Sequence, residues 1–536
     1  MDTNSQQKSG VATKPTRVGV DGFVSARSIH RSVHTAPTRR VVAKPTQLAS
    51  VAPVAAPKVV KKKIQKRTVV PAVVREPLPA PVYKAPQRPL RVVRHRKPWR
   101  KIIFRTSGVL IATFLLTGGF LFWKMNVQLR KVFHGTTTVA ALSSKPVDVT
   151  QLKGEGDGRV NILLLGVGGD GHEGPDLTDT IIVMSVDPVN NTAALLSVPR
   201  DLWVKMPVNY FGNYQKLNAA YESGKYHYLG KMDESNANTA AVEAGFKSID
   251  QNVSEVLGID IHYHLLVNFK AFQQAIDTVG GVDIDVKEAL YDPTMAWENG
   301  YNSVLADVGQ QTMNGKKALL YVRSRETSSD FARSERQRQV MLGLKSKILS
   351  AGTLSNPAKI DGLMNAFGNN VYSDLSTDGA QRLYGIMKKI DNTKVASIGL
   401  VQAPNDLVTT DRVGSASVVR PKAGFNNYSD IQTYVRSQLV DGYIAKEHAS
   451  VTVVSSTLTN AATISTDLKS YGYNVTSTLT TTNTSTQPTV VDLSGGTAKY
   501  TRNYLEKRYG VHAVSTVPAG IVIPPGSAKF VIISSK

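Results

Sequence analysis

The 536-residue chain has no cysteine, which removes disulfides, thiolate metal sites and cysteine nucleophiles together. The glycine-rich stretch GVGGDGHEG (166–174) is not followed by Gly-Lys-Ser/Thr, so a nucleotide P-loop is not formed and the stretch reads as a tight turn. Acids are almost missing from one region. Between Met1 and Arg105 only Asp2, Asp21 and Glu76 stand against 24 Lys and Arg, so +21 of the formal net charge of +23 sits there. The remaining chain is nearly neutral. A basic face on a folded domain, and with it a nucleic-acid partner, is therefore not expected. The first 100 residues hold 12 of the 25 prolines and few aromatic residues, a composition that cannot offset the entropy of ordering the chain. Residues 1–101 are expected to be a disordered basic tail.

The next segment of the chain is apolar. Ser107 to Trp123 carries no charge, and extending back to Ile102 admits only Arg105, whose long side chain can reach the headgroups. Arg94, Arg96, Lys97, Arg100 and Lys101 crowd the amino-terminal side, as a positive-inside anchor requires. Residues 102–124 are thus expected to form a single transmembrane helix, a signal-anchor too far into the chain to be a cleaved signal peptide. The tail would be cytoplasmic and the rest extracellular. Residues 125–158, polar and threonine-rich, are expected to be a stalk.

From residue 159 short apolar runs bounded by turn residues alternate with helical spacing. Val160–Leu165, Thr180–Val186, Ala193–Val198, His264–Val267 and Val282–Val286 read as strands. Ala237–Leu257, Phe269–Val279, Gln337–Leu349, Asp378–Ile390 and Asp430–Ala445 read as helices. The expectation is an α/β domain, a central mixed sheet flanked by helices, over 159–445. Residues 446–536 repeat the alternation on a smaller scale and form a second α/β unit.

Four clusters combine cations with carboxylates: Thr178-Asp179-Thr180, Ser197-Val198-Pro199-Arg200-Asp201, Lys216-Leu217-Asn218, and Arg323-Ser324-Arg325 with Asp330, Arg333, Arg336 and Gln337 beyond it. If the run is extended, Arg323 and Arg325 point the same way and offer two forked donors to one anion. Arg333, Arg336 and Gln337 fall at i, i+3 and i+4 and share a helix face, near an amino terminus that favours phosphate. Asp179, Asp201 and Asp330 either pair with these cations or hold a hard divalent ion. Any one of these residues is explained by a surface ion pair. The whole set, recurring where strands end, points to a pyrophosphate-sized ligand. His262 and His264 lack a third ligand and read as packing.

At these residues the chain resembles the LytR-CpsA-Psr family of cell-envelope proteins: NILLLG, LTDT, SVPRDL, KLNAAY, VNF, TVGGVDIDV, ALLYVRSRE and SDFARSERQRQV occur in one order from Arg159 to Gln339. The terminal unit resembles the accessory domain of some members, with Ser455-Ser456 where Asn-Gly is usual. The resemblance implies an α/β phosphotransferase with an apolar slot for a polyprenyl chain. It implies transfer of a glycopolymer from its polyprenyl pyrophosphate to peptidoglycan or another wall acceptor through a phosphodiester, with Mg2+ or Mn2+. By position, Asp179 matches a metal ligand, and Arg200, Lys216, Arg323, Arg325, Arg333 and Gln337 match pyrophosphate contacts; Asp330 matches a site acid, and Asp201, an acid of the same cluster, is a candidate proton acceptor. Gly168 and Leu177 stand where many members have an aspartate and an arginine, which leaves Asp170 as the nearest second metal ligand. The other readings are a non-catalytic scaffold that binds polyprenyl phosphate or glycan, and a pyrophosphate hydrolase.

Overall fold

The computed structural model describes residues 129–136, 139–143, 147–230, 238–325, 330–368, 370–401, 406–483, 487–524 and 528–534, with a few single residues besides. The basic tail 1–101 lies outside them, as does most of the expected membrane span 102–124. Among the described residues no helix is long and apolar enough to cross a membrane.

The large domain is built on a six-stranded mixed sheet. Strands β1 (Val160–Val167), β2 (Thr178–Asp187) and β3 (Thr192–Ser197), β-branched and leucine runs joined by the glycine-rich loop 168–177 and the turn 188–191, form an antiparallel meander. After the hairpin β4 (Trp203–Lys205) and β5 (Tyr214–Lys216), helices α1 (Ala220–Leu229) and α2 (Asn238–Leu257) lead to β6 (Tyr263–Asn268), which lies parallel to β1. Helix α3 (Phe269–Val279) starts under an Asn268 cap and stops at Gly280, whose φ of 91° requires a residue without Cβ.

The chain then makes an excursion through β7 (Val282–Val286), β8 (Leu290–Tyr291), a 3-10 turn (Pro293–Asn299), β9 (Val304–Ala306) and β10 (Gly309–Met313). Helices α4 (Gly315–Arg323) and α5 (Asp330–Leu349) return to the sheet, and β11 (Val371–Ser373) and β12 (Val395–Gly399) close its two edges in the order β11-β6-β1-β2-β3-β12. Alternation along β1 to β3 divides the core. Leu163, Leu165, Val183 and Leu196 pack with Tyr221, Phe246, Ile249 and Val253 of α1 and α2. Ile162, Ile182, Val186 and Leu195 pack on the other side with Ile386 and Ile390. Fully burying one such aliphatic side chain contributes about 1.5–3 kcal/mol, so the two-sided sheet is the main source of stability.

The terminal unit has a four-stranded sheet in the order β14 (Asn474–Thr480), β13 (Ser450–Ser455), β16 (Phe530–Ile533), β15 (Thr489–Asp492), and only β15 runs antiparallel. Two expectations change here. The segment expected to be a stalk is packed: Ala141 and Leu142 enter the core of the large domain and Leu152 that of the terminal unit. A few apolar side chains in a polar stretch were enough to fold it down. The helix expected over Asp430–Ala445 is two helices, Ser429–Gln438 and Gly442–Glu447, because Asp441 caps the second through Tyr443 N–H at 2.8 Å.

Candidate anion-binding site

The carboxyl-terminal ends of β1, β3, β6 and β12 and the start of β2 share one edge of the sheet. A register shift there sets Gly166 against Thr180 but Val167 against Thr178, so Asp179 is the extra residue of a bulge. Bulges re-aim side chains at sheet rims, and the Asp179 carboxylate, 42% exposed, meets the Arg200 guanidinium and lies 3.5 Å from the Asn218 amide.

Arg200 and Asp201 sit on the turn after β3, fixed by Pro199 and from outside by the 3-10 turn Leu217–Ala219 and the strand Ala416–Pro421. Asn218 donates its N–H to the Arg200 carbonyl at 3.0 Å, and Val419 donates to that of Asp201 at 2.9 Å. This pinning places Asp201, only 15% exposed, among three cations. Lys216 Nζ lies 2.8 Å from one carboxylate oxygen; Arg325 and Arg200 Nε lie 2.9 and 3.6 Å from the other. Burial pushes the Asp201 pKa up, but the Lys216 hydrogen bond and the fields of Arg200, Lys216 and Arg325 outweigh it and hold the group below its ordinary value.

A carboxylate depressed in the folded state contributes stability above its unfolded pKa of about 3.9, and loses it as pH falls through the lower folded value. The stability difference between the unaltered chain and Asp201→Asn should therefore be full at pH 7 and shrink below about pH 4, as read from urea midpoints. A difference that does not depend on pH would show that the carboxylate charge contributes nothing.

Arg323 and Arg325 do not lie on an extended run. Asn314 caps α4 through Lys317 N–H, Arg323 is that helix's last residue, and the two guanidinium groups diverge. Arg323 faces Glu298 at 2.9 and 3.1 Å and lies 4.9 Å over the Phe269 ring, which His172 of the glycine-rich loop meets edge-on. Arg325 turns the other way, to Asp201. Its backbone N–H and the Ser324 hydroxyl are held by the buried Asp292 at 3.3 and 2.7 Å.

On α5 the expected face is real, yet its members part in role. Gln337 reaches Thr180 Oγ1 at 3.3 Å, and Arg333 lines a recess with Ser197, Pro199 and Gly399. Arg336 is buried and donates to the carbonyls of Tyr321 at 2.8 Å and Ser324 at 2.6 Å. These are orphan acceptors at the end of α4, so Arg336 holds the two helices together instead of presenting its charge to an anion. Asp330 starts α5; its side chain lies outside the described residues. Asp170 is exposed on the glycine-rich loop and shares no hydrogen bond or ion pair with Asp179. Among the described residues no three His, Cys, Asp or Glu side chains converge as metal ligands. A magnesium ion that takes most of its ligands from phosphate and water still fits the half-exposed Asp179.

Glu298 and Phe269 were not singled out from the sequence, and Asn218 was named in a cluster without a role. Asn218 had a signal, its place inside KLNAAY. Glu298 had none, since its partner lies 25 residues away across the excursion. His262 accepts the Asn161 N–H at 2.9 Å, and His264 Nδ1 lies 2.6 Å from Asp374, so both are occupied in packing.

A mixed α/β domain that gathers three cations and two carboxylates where its strands end is built to hold a multiply charged anion. The chain belongs to the LytR_cpsA_psr family, whose model matches residues 128–426. It is 33% identical over 296 residues to the polyisoprenyl-teichoic acid–peptidoglycan teichoic acid transferase TagU of Oceanobacillus iheyensis, a match covering 54% of this chain and 82% of that protein. It is 34% identical over 212 residues to the cell wall biosynthesis protein LcpA of Corynebacterium glutamicum, covering 38% and 39% of the two. The crystal structure of Bacillus subtilis TagV is matched at 25% identity and a TM-score of 0.39, over 52% of this chain and 97% of that one.

Proposed function

We propose that this chain is a phosphotransferase that moves a glycopolymer from a polyprenyl-pyrophosphate carrier to peptidoglycan or another wall acceptor. The observation that carries this reading is the ring of Arg200, Lys216 and Arg325 around Asp201, beside Asp179, in a chain of this family. A pyrophosphate diester is already activated. The protein's task is to offset its charge and align an acceptor hydroxyl, without covalent catalysis. In the transfer an acceptor hydroxyl oxygen bonds to the sugar-linked phosphorus, the bridging P–O bond breaks, polyprenyl phosphate leaves, and the hydroxyl proton passes to the departing phosphate.

Arg200, Lys216 and Arg325 would bind the phosphate oxygens, with Arg323 and Arg333 at the margins and Gln337 as a neutral donor. Asp201, with its lowered proton affinity, is suited to orienting these cations more than to taking the hydroxyl proton. Asp179 would hold magnesium, which when bound neutralises charge on the two phosphates. The apolar run 102–124 would anchor the domain so that the site works at the outer face of the membrane.

The test uses the full chain with a polyprenyl-pyrophosphate-linked saccharide, magnesium and peptidoglycan fragments. A peptidoglycan–saccharide conjugate is the expected product. Released saccharide phosphate alone would make the protein a hydrolase, and lipid binding with no product a scaffold. A chelator should stop turnover, and unchanged rates would remove the metal role from Asp179.

A further inference from the structure

The excursion between β7 and β10 is folded against the ordinary direction of the hydrophobic effect. Its aliphatic residues Leu290, Met295, Leu305 and Ala306 enter a core, while its largest rings stay outside: Trp297 is 69% and Tyr301 89% exposed, and Tyr291 is half exposed. Exposed rings gathered on one short segment mark a contact surface more often than chance.

The segment is rigid. Asn299 donates to the carbonyls of Asn302 at 2.9 Å and Val304 at 3.0 Å, and the Asn302 side chain accepts the Val304 N–H at 2.9 Å. Backbone hydrogen bonds close the segment on itself: Tyr301 N–H bonds the Ala296 carbonyl at 2.7 Å, one residue from Trp297, and Asp292 N–H bonds that of Ser303 at 2.7 Å, where Tyr291 pairs with Val304. Tyr301 has φ 65°, a left-handed conformation that a bulky aromatic residue adopts only under constraint, and Gly300 before it has the same φ.

The segment reaches the margin of the anion site, because Glu298, next to Trp297, is the carboxylate that faces Arg323. Its charge selects the occupant. From Glu288 to Val308 there is no Lys or Arg; Asp292 is buried and Glu298 is paired with Arg323, which leaves Glu288 and Asp307 as exposed acids. Such a segment is repelled by an anionic bilayer surface, which attracts basic residues instead. A ligand with broad C–H faces and hydroxyl groups and no negative charge suits it, since Trp and Tyr supply large, rigid, amphipathic contact area at little cost in conformational entropy.

We infer that Trp297 and Tyr301, with Tyr291, form a subsite for a neutral pyranose chain next to the anion site. The inference rests on the transferase reading only for the source of that chain, the donor polymer or the acceptor glycan.

The probe is the uncharged tetramer of β-1,4-linked N-acetylglucosamine, titrated calorimetrically into the full chain. Trp297→Ala is expected to weaken binding about tenfold, or about 1.4 kcal/mol. Trp297→Phe, which keeps a ring, should retain most of the affinity. Tyr301→Asn serves as the folded control variant, because asparagine tolerates the left-handed conformation; it should also weaken binding and leave thermal stability unchanged. Equal affinity in the unaltered chain, Trp297→Ala and Tyr301→Asn overturns the subsite. So does loss of binding to phosphatidylglycerol vesicles in these variants without loss of tetramer binding, which would make the rings a membrane contact. In transfer assays, a KM raised in Trp297→Ala for the acceptor identifies the wall glycan as the source, and a KM raised for the donor identifies the polymer. Tetramer binding lost in the variants of a chain that shows no transfer leaves the subsite standing and overturns only the transferase reading.

Discussion

Alanine in place of Arg325 is expected to lower the rate of glycopolymer transfer by about 10²–10³, the usual cost of removing one donor from a charge-stabilising site. The melting temperature should stay within error. The two outcomes separate because of where Arg325 sits. Among the described residues its side chain, 40% exposed, bonds Asp201 alone, and an ion pair open to solvent on one side contributes about 0–1 kcal/mol to stability. Asp292 holds the backbone N–H, which the substitution keeps. In the transition state the same guanidinium would face charge gathering on the leaving phosphate, with Arg200 and Lys216 fixed alongside through Asp201. Arg325→Lys should restore little, because an ammonium cannot reproduce the planar fork. Full transfer by Arg325→Ala, with an unaltered donor KM, would remove this residue from the site.

Four strands of the sheet were legible because they are continuous apolar runs closed by turn residues; the short edge strands β11 and β12 were not read, and β7, read as a strand, pairs with β10 outside the sheet. Helix α3 was legible from end to end, with an asparagine cap before it and a glycine pair after it. The arginines were legible as a set but not as geometry. Arg323 and Arg325 lie two apart, which on an extended run means one face; the Asn314 cap carries a helix to Arg323, and two residues across a helix end diverge. The spacing of Arg333, Arg336 and Gln337 does put them on one side of a helix. Spacing cannot say that part of this side covers the open carbonyls at the end of α4, which is a tertiary matter, and Arg336 goes there. Asp179 was visible as an acid at a strand start, while the bulge that turns its carboxylate out arises only from the pairing of β1 with β2. The packed segment before β1 was hidden for a related reason: polar composition describes its surface, and Leu142 and Leu152 are its exceptions.

Asp441→Ala is expected to destabilise the protein by about 3–5 kcal/mol, because it takes the acceptor from several buried donors, each costing about 1–3 kcal/mol when left unsatisfied. Asp441 is 2% exposed, and both of its oxygens are occupied. One accepts the N–H groups of Gly156 at 3.0 Å and Gly158 at 2.8 Å and the Tyr504 hydroxyl at 3.2 Å; the other accepts Tyr443 N–H at 2.8 Å and Ile444 N–H at 3.4 Å. These donors come from the segment before β1, from the helix that leads into the terminal unit, and from within that unit. One carboxylate thus ties the two units together, and glycine is required at 158 because a Cβ there would come within 2.6 Å of an Asp441 oxygen. Asp441→Asn separates charge from hydrogen bonding. It relieves the cost of burying a charge, yet its amide nitrogen must face donors whichever way it turns, so it should still lower the urea midpoint, by less than alanine does. Both variants should also speed proteolysis near residues 440–450, where the units join. If Asp441→Asn is as stable as the unaltered chain and equally resistant, the donors are satisfied by other means and the tie between the units is not Asp441.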